Sequence, residues 1–541
     1  MKKIITSFAL LFFTIHFIFS QTWKVYPYHE QGSVLNFPQD EGWHQPEPIE
    51  WWYTTAQVTG STTGHKYDVM LTYFDYPQFG TDGFRIFNIA DENTGQFYKQ
   101  TSPCNYLVNS QTHQEISALP FGGTTEEFST LKDSVGNLIP FQYHVKADAS
   151  TYSIDFNYNS LKRPLMVGGT GYLYQGASSY TYYYSLTTLT VTGSITVNGI
   201  TESVSGTAWL DRQWGNFNPL NGEQYEWFSI QLSNGMDMNI WNVFTPQNSI
   251  PDLPTYKICS EYINDSTDTV ASDFQLTRMA YAYTPDLLRC YARQWRFTQG
   301  NIDLTITTVV PNSEVSSPFR FYEGATTITG TVNGVPVTGM GYAELLHSYA
   351  NPVISIQHPV IPVTVADTLT IAWNIQNPDD GRDLVYDISL STDNNITFNT
   401  IASDISNSFY LWDTTGIADG TDCWFRITGH SLDSTLSGSA VTLSPVHIDR
   451  TSGIKEREDK NKLTVFPNPF TSQTTISLKK ELKNASIRIV DIMGKEIKNY
   501  HFSGISLTIE RGELNPGVYF IQVFSGREFV TVEKIEIHQC R

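Results

Sequence analysis

The chain has 541 residues, a formal net charge of −20, 16% charged residues and 13% aromatic residues. Because no basic run stands out in this acidic sequence, we expect no binding to nucleic acid or to anionic membrane surfaces. Aromatic residues mixed with many Thr, Ser and Asn favour half-buried β-sheets and exclude a disordered chain, a coiled coil or a helical bundle. At about 150 residues per domain, the length predicts three or four domains.

The N-terminal residues 1–20 have the pattern of a secretory signal peptide. Lys2 and Lys3 supply the positive charges, an apolar run covers residues 4–19, and Ser20 precedes the expected cleavage point. The alternative is an uncleaved membrane anchor, but the run is short and ends in a small residue. No later stretch has about 18 apolar residues, so we expect no transmembrane segment in the mature protein.

The Cys and His residues predict neither a metal site nor a cofactor. None of the five cysteines forms a C-x-x-C pair, and the 12 histidines have no metal-ligand spacing. The G-x-S-x-G, H-E-x-x-H, P-loop and G-x-G-x-x-G motifs are also missing, which excludes the corresponding hydrolases and nucleotide enzymes. An oxidising compartment would allow Cys259 and Cys290 to pair, and the odd count leaves at least one free thiol.

Residues 21–350 contain short alternating runs that are typical of β-strands, and no long amphipathic helix. Clear period-two patterns occur in YDVMLTYF (67–74), SITVNGITESVSGTAW (194–209), MDMNIWNVF (236–244) and IDLTITTVV (302–310). Asn-Gly pairs at 198–199 and 333–334 lie between β-rich runs and predict hairpin turns.

These two hairpins form a weak internal repeat. VNGITESVSGTAWLD (197–211) and VNGVPVTGMGYAE (332–344) both end in the pattern Gly-x-(Ala or Gly)-aromatic-x-acid, where x is any residue. The repeat predicts two related β-barrels or sandwiches in tandem. Chance similarity between two Gly-rich hairpins is the alternative.

The remaining residues change character. Evenly spaced strand candidates over residues 352–450 are typical of an immunoglobulin-like or fibronectin-like sandwich. Residues 451–462 form a charged linker, and residues 463–541 have the pattern of a small β-module.

This last module resembles the type A sorting domain of the type IX secretion system. The matching features are Pro467-Asn468-Pro469, the turn from Asp491 to Gly494-Lys495, and the run from Asn515 to Tyr519. The resemblance implies export by the type IX machinery to the cell exterior or outer surface, and removal of the module at the outer membrane. An ordinary adhesive β-domain is the alternative.

Acidic side chains among aromatic ones are the candidate site. They cluster in residues 37–55, 180–187, 206–216 and 321–345. A buried carboxylic acid keeps its proton at neutral pH, and neighbouring aromatic faces stabilise a developing cation, which would suit protonation of an alkene. Alternation in a strand places Trp209 and Asp211 on one face. In the alternative interpretation the aromatic residues are core and Asp211 forms a structural ion pair with Arg212.

Residues 36–350 resemble the AttH family, which includes the carotenoid 1,2-hydratases (hydroxyneurosporene synthases). The matching stretches are FPQDEGWH, EWWYTT, FRIFNIAD, YYYSLTTLTVTG, GTAWLDRQWG, YEWFSIQLSNG, FYEGATTITG and GMGYAELLHSY. The resemblance implies two lipocalin-like barrels in tandem, with an apolar, isoprenoid-like ligand held at or near their junction.

The same resemblance suggests site residues. The hydratases protonate a terminal double bond with an aspartic acid that aligns with Asp211, and they carry Tyr where this chain has Trp209. Their upstream His-x-Trp pair aligns near residues 182–185, where this chain has neither His nor Trp. The candidate catalytic residues are Asp211, Trp209, Tyr182 and Tyr184. The candidate ligand-binding residues are His44, Glu50, Trp52, Trp227, Tyr322, Glu323, Tyr342 and Glu344.

We therefore expect an all-β chain. Its predicted parts are two lipocalin-like barrels (21–217 and 218–350), a sandwich (352–450), a linker (451–462) and a β-sandwich sorting domain (463–541). The leading functional hypothesis is a secreted protein that binds an apolar or lipid-like small molecule and hydrates or isomerises it. The alternatives are a non-catalytic lipid carrier and a surface adhesin that uses the sandwich domain.

Overall fold

The computed structural model describes residues 21–77, 80–175, 179–216, 223–244, 256–376, 380–450, 463–491, 495–525 and 528–538. The expected signal peptide (1–20), the expected linker (451–462), Gly494 and Cys540 lie outside the described residues. Within these ranges the structure is built from β-strands, with one short 3-10 helix at Gln39–Glu41. None of the described residues belongs to a helix long and apolar enough to span a membrane.

The first twelve strands form one antiparallel sheet. They are β1 (Ile49–Gly60), β2 (Lys66–Asp75), β3 (Gly83–Asp91), β4 (Gln96–Asn109), β5 (Glu115–Pro120), β6 (Glu126–Lys132), β7 (Leu138–Asp148), β8 (Tyr152–Ser160), β9 (Leu165–Met166), β10 (Tyr172–Gln175), β11 (Ser179–Val197) and β12 (Ile200–Gly215). The order β11-β12-β1-β2-β3-β4-β5-β6-β7-β8 closes on itself, because β8 also pairs with β11. Ten strands therefore form a closed barrel, whose interior is packed with apolar side chains such as Trp52, Leu71 and Leu186.

The next ten strands form a second antiparallel sheet. They are β13 (Gln224–Leu232), β14 (Asp237–Phe244), β15 (Lys257–Asn264), β16 (Thr267–Ala271), β17 (Gln275–Tyr283), β18 (Cys290–Gln299), β19 (Ile302–Thr308), β20 (Glu314–Val315), β21 (Phe321–Val332) and β22 (Val335–Leu345). Their order is β16-β15-β14-β13-β22-β21-β19-β18-β17, with β20 on β21. This second barrel encloses its own apolar core, which includes Phe228, Trp295 and Leu304.

The two sheets repeat one topology. In both, the strand after the Asn-Gly turn pairs with the first strand of its own sheet, as β12 does with β1 and β22 with β13. Both turns have positive φ at Asn and at Gly, with values of 52° and 79° at Asn198 and Gly199. In the first sheet, a Cβ on Gly206 would lie 2.0 Å from the Gln57 carbonyl oxygen. Glycine at the end of the motif therefore permits close approach of neighbouring strands.

The chain divides into two compact units. The first contains Met1–Ile361, Thr370–Tyr410 and Trp424–Ser444, and the second contains Pro362–Leu369, Leu411–Cys423 and Pro445–Arg541. Both barrels lie in the first unit. Apolar side chains from their outer faces, among them Tyr53, Trp209, Trp227 and Tyr342, form a third core between the two barrels.

Nine shorter strands follow the barrels. They are β23 (Ile354–His358), β24 (Val363–Val365), β25 (Thr368–Ile375), β26 (Leu384–Ser391), β27 (Asn399–Ile405), β28 (Phe409–Asp413), β29 (Asp422–Ser431), β30 (Ser437–Val441) and β31 (Val446–Ile448). Within the first unit, β26 pairs with β27 and β29, and β29 pairs with β30. Within the second unit, β24 pairs in parallel with β31.

The last module is a five-stranded antiparallel sheet in the second unit. Its strands are β32 (Leu463–Phe466), β33 (Gln473–Val490), β34 (Glu496–Glu510), β35 (Gly517–Ser525) and β36 (Glu528–Ile537). The order is β32-β33-β35-β36, and β34 pairs with β33. Ile476, Ile487 and Ile521 belong to its buried core. The prediction of an all-β chain that begins with two tandem barrels is confirmed.

The described cysteines are buried free thiols at positions 104, 259, 290 and 423. The pairing of Cys259 with Cys290, which the sequence left open, is therefore not formed. Both side chains belong to the apolar core of the second barrel, where burial raises the pKa of the Cys290 thiol to about 12.

Candidate ligand pocket between the barrels

A pocket lies between the outer faces of the two barrels. Its cavity volume is about 50 Å³, and the space between the lining side chains, with the open solvent at the mouth included, is about 640 Å³. Nine aromatic side chains line it: Trp51, Tyr53, Phe74, Tyr183, Tyr225, Trp227, Trp241, Phe319 and Phe321. Three carboxylic acids, Asp211, Glu323 and Glu344, line it as well. Within the described part of this wall we find no Lys, Arg or His.

Strand alternation and register bring Asp211 to this face. Asp211 on β12 pairs directly with Tyr53 on β1 and with Ser185 on β11. Side chains that are directly opposite in an antiparallel sheet project on the same side. Asp211 therefore lies between Tyr53 and Ser185 on the outer face of the first barrel, which the second barrel covers.

Asp211 is a buried acid that is held in place by hydrogen bonds. Its side chain is 3% exposed. The Ser185 hydroxyl donates to Oδ1 over 2.5 Å, and the Trp209 indole N–H donates to the same oxygen over 2.8 Å. Burial raises the pKa of Asp211 to about 7, although these hydrogen bonds favour the charged form. Both protonation states are therefore populated near neutral pH.

Side chains of the second barrel form hydrogen bonds that orient the Ser185 hydroxyl. The Trp227 indole N–H donates to the Asn239 side-chain oxygen over 3.2 Å. The Asn239 amide in turn donates to the Tyr183 hydroxyl over 2.8 Å and to the Ser185 hydroxyl over 3.1 Å. Because Ser185 accepts from Asn239, its own proton points to Asp211. The hydrogen-bond chain thus runs from Trp227 to the acid.

The other two acids are neighbours on the second barrel. Glu323 on β21 pairs directly with Glu344 on β22. The Tyr53 hydroxyl donates to Glu323 Oε1 over 2.5 Å, and the Tyr225 hydroxyl donates to Glu344. Burial, together with the nearby Glu344 carboxyl, raises the pKa of Glu323 well above its usual range. Desolvation raises the pKa of Glu344 to about 7.

The structure brings several predicted residues together at this pocket. Asp211, Trp227, Glu323 and Glu344 line it, and Trp209 donates directly to Asp211. Tyr342 belongs to the buried core between the barrels. The suggested ion pair between Asp211 and its chain neighbour Arg212 is not formed, because Arg212 lies on the opposite strand face.

Tyr182 and Tyr184 do not face Asp211. The Tyr184 ring lies inside the first barrel, 4.9 Å from the Phe37 ring, and the Tyr182 ring stacks on Trp214 at 5.5 Å. The reason is a bulge in the β11–β12 hairpin between Leu186 and Leu189.

That bulge changes which β11 side chains share a face with Asp211. From the turn to Leu189 the pairing is regular, and an unbroken register would place Leu186 opposite Asp211. One extra residue places Ser185 there instead, so Tyr183 faces the pocket. A shift of one residue reverses the two faces of a strand.

His44, Glu50 and Trp52 form a structural cluster on the other face of the sheet. Arg212 donates to Glu50 and to the Gly42 and Trp51 carbonyls, and its guanidinium lies 4.3 Å from the Trp52 ring centre. The His44 ring stacks on Trp214 at 3.8 Å and lies 2.9 Å from Glu50. These three side chains therefore do not line the pocket between the barrels, and their role in ligand binding stays a prediction.

Tyr322 is also placed away from the pocket. Its ring lies in the core of the second barrel, and its hydroxyl donates to the Val310 carbonyl over 2.9 Å. Tyr53, Tyr225 and Asn239 were not predicted as site residues, and Tyr183 was a candidate only within the cluster at residues 180–187. Alternation from Trp51 could have identified Tyr53, whereas Tyr225 and Asn239 come from strands of the second barrel and carry no local motif.

A possible metal group lies outside the barrels. Among the described residues, Asp387, Asp404 and His430 have potential ligand atoms within 4.8 Å of one another. His430 Nε2 lies 3.5 Å from Asp387 Oδ2, and the Asp404 backbone N–H donates to Asp387. An ion pair and a backbone hydrogen bond account for this proximity.

The barrels match a known protein family. Residues 28–349 match the sequence model described as AttH-like. A crystal structure from Nitrosomonas europaea, described as an AttH protein, is 22% identical with a TM-score of 0.49, and the match covers 59% of this chain and 98% of that chain. Kievitone hydratase from Nectria haematococca is 19% identical with a TM-score of 0.46, covering 55% and 88%. The structural matches are weak, so the family assignment rests on the sequence model. No curated protein matches this sequence.

The C-terminal module has an independent match. Residues 464–538 match the secretion system C-terminal sorting domain. This domain directs the chain to type IX secretion and hence to the outside or the outer surface of the cell.

Proposed function

The chain belongs to the AttH-like family, and we propose that it holds an apolar ligand between its two barrels and protonates it through Asp211. The observation that supports this proposal is a buried, hydrogen-bonded acid in an aromatic wall. Because Asp211 is desolvated, its protonated form is well populated near neutral pH, and a general acid works best when its pKa lies near the operating pH.

The proposed substrate is an alkene of isoprenoid or lipid-like type. Ser185 and Trp209 both donate to Oδ1 of Asp211, so the acidic proton belongs on Oδ2. This proton forms a bond to one alkene carbon with the π electrons, and the other carbon becomes a cation. Aromatic faces stabilise that cation. Water then adds to it and releases a proton, which gives hydration, or a neighbouring C–H proton leaves, which gives isomerisation.

Export completes the proposal. Residues 1–20 act as a signal peptide, and the sorting module is removed at the outer membrane. Before that removal, the domain limits expected from the sequence divide the exported chain into two barrels, a sandwich and the sorting module. The ligand is therefore one that the protein meets outside the cell or at its surface.

Two probes test the proposal on the secreted protein purified from culture supernatant. N-Phenyl-1-naphthylamine, an uncharged fluorescent molecule, reports occupancy of the pocket. Farnesol in D₂O reports catalysis, because protonation by an exchanged acid places deuterium on carbon. We expect the wild type to bind the first probe and to form deuterated product from the second.

Asp211→Asn separates catalysis from binding. The variant is expected to bind N-phenyl-1-naphthylamine normally and to lose product formation by about 100-fold or more. Asp155→Asn is the matched control, because Asp155 is 49% exposed on β8. Equal turnover by Asp211→Asn and the wild type would overturn the general-acid role. Binding without product in the wild type would instead support the non-catalytic carrier.

A further inference from the structure

The pocket contains more carboxylic acid side chains than protonation of an alkene requires. Asp211 from the first barrel suffices as proton donor, yet Glu323 and Glu344 from the second barrel also line the cavity. Burying a carboxyl away from water costs free energy unless a partner compensates. Within the described lining, no basic side chain supplies that compensation.

Protein side chains supply only some of the hydrogen-bond donors that the two buried glutamate carboxyls need. Tyr53 and Tyr225 each donate to one Oε1 atom. Glu323 is 0% exposed, and its Oε2 has no hydrogen-bond partner among the described residues. A buried polar atom without a partner in the protein is an exception that indicates a missing partner group.

Above about pH 7 the two glutamates hold one proton between them, because burial raises the pKa of Glu344 to about 7 and also raises that of Glu323. They are direct cross-strand neighbours, and two carboxylates that share a site do not both ionise easily. One proton shared by the pair leaves one negative charge on the pocket wall. Hydrogen bonds from the two tyrosines allow that charge to persist in an apolar site.

The aromatic walls add to this negative potential. Trp227 meets Tyr53 edge to face with ring centres 5.7 Å apart, and Trp241 meets Tyr183 in the same way at 5.9 Å. Ring faces carry the negative part of the aromatic quadrupole and attract cations. A ring face that borders the cavity therefore favours the same sign of ligand charge as the pair.

We propose that Glu323 and Glu344 act together as a singly charged pair that stabilises the cation formed when Asp211 protonates the substrate. This proposal rests on the proposed function and assigns the second barrel a catalytic role in it. Asp211 loses its proton to one alkene carbon, and the positive charge on the adjacent carbon is balanced by the negative charge of the pair. An enzyme binds the charged transition state more tightly than its neutral substrate.

Stable cations can therefore be used as probes of the pair. N-Phenyl-1-naphthylamine is first bound to the secreted protein at about pH 8, where one carboxyl of the pair is ionised. It is then displaced by octyltrimethylammonium, by 1-octanol or by octyl sulfate, which share one tail and differ in charge. We expect displacement by the ammonium compound at about thirtyfold lower concentration than by octanol, and the weakest displacement by the sulfate.

Substitution of the pair tests its role directly. Glu344→Gln and Glu323→Gln keep an oxygen acceptor for their tyrosines, and each is expected to reduce the preference for ammonium over octanol by about tenfold. Asp211 is also largely ionised at about pH 8, so the preference that Asp211→Asn retains is the part that belongs to the pair. Glu127→Gln is the matched control, since it removes a carboxylate that is 48% exposed on β6.

The wild type supplies a second measurement if a glutamine variant fails to fold. The titratable groups that face the pocket are Asp211, Glu323, Glu344, Tyr53, Tyr183 and Tyr225. Burial raises the pKa of each of the three tyrosines well above its usual value of 10. Only the three carboxylic acids therefore titrate near neutral pH. The preference for ammonium is expected to fall as the pH decreases through about 7, while displacement by octanol stays constant, and the fall that persists in Asp211→Asn belongs to the pair.

The outcomes separate this inference from the proposed function. The role of the pair is overturned if all three compounds displace the probe equally. It is also overturned if the preference for ammonium survives in the double variant Glu323→Gln with Glu344→Gln. Either result leaves the apolar pocket intact. Absence of N-phenyl-1-naphthylamine binding overturns the pocket itself, and the inference with it.

Discussion

Replacing Asp211 with Asn is expected to stabilise the barrels at alkaline pH. Burial raises the pKa of Asp211 from 3.8 to about 7, so the folded protein binds this proton more tightly than the unfolded chain does. The stability that results is fully present below about pH 4 and is lost as the pH rises through about 7. Asn cannot ionise and therefore avoids this loss.

The size of the effect follows from the pKa difference. It is about three pH units, and each unit corresponds to 1.36 kcal/mol, so ionisation of Asp211 costs the folded state about 4 kcal/mol. Asn has the shape of the neutral acid, and its side-chain oxygen can accept the hydrogen bonds from Ser185 and Trp209. We therefore expect the variant to be more stable than the wild type by about 1.5 kcal/mol at about pH 5 and by about 4 kcal/mol at about pH 8.5.

Thermal unfolding of the full chain measures this difference. Near-ultraviolet circular dichroism follows the aromatic core between the barrels, and midpoints of the wild type and the variant are compared at both pH values. Asp155→Asn serves as the control for a lost surface charge, because its carboxyl is 49% exposed. A variant that is less stable than the wild type at alkaline pH would refute the reasoning. Such a result would mean that the pocket favours the carboxylate and that Asp211 is not a proton donor.

Three further changes test neighbouring features. Ser185→Ala removes the hydroxyl that donates to Asp211 over 2.5 Å, so we expect the pKa of this acid and the alkaline limit of farnesol turnover to rise by about one pH unit. Arg212→Met leaves Glu50 buried without its cation, and urea denaturation is expected to show a loss of about 3–5 kcal/mol with pocket binding kept once the protein is folded. The four described cysteines are buried, so Ellman's reagent is expected to modify them only after unfolding.

Local chemistry made much of the fold predictable. Asn198-Gly199 and Asn333-Gly334 specify tight turns, and alternating residues on either side specify the paired strands. The same alternation placed Trp209 and Asp211 on one face, where the indole N–H reaches the carboxyl. These features depend on residues that are close in the chain, which is why sequence patterns identify them.

The register of β11 and the packing of the two barrels against each other could not be predicted from the sequence. The bulge in β11 falls in Leu186-Thr187-Thr188-Leu189, which contains no Gly or Pro to mark it. Counting from the turn therefore selects Tyr182 and Tyr184 instead of Tyr183. The partners from the second barrel pose a different problem, because Asn239 lies 54 residues from Ser185 and only the packing of two barrels brings them together.

The internal repeat explains how one pocket obtained acids with different roles. The motif that ends each hairpin places Asp211 on β12 and Glu344 on β22, and both side chains reach the space between the barrels. Their surroundings then diverge. Asp211 accepts hydrogen bonds from Ser185 and Trp209 of its own barrel, whereas Glu344 has a second carboxyl, Glu323, directly opposite on the neighbouring strand. Burial raises the pKa of both Asp211 and Glu344 to about 7, so near neutral pH a duplicated hairpin can supply both the proton and the negative charge that the resulting cation requires.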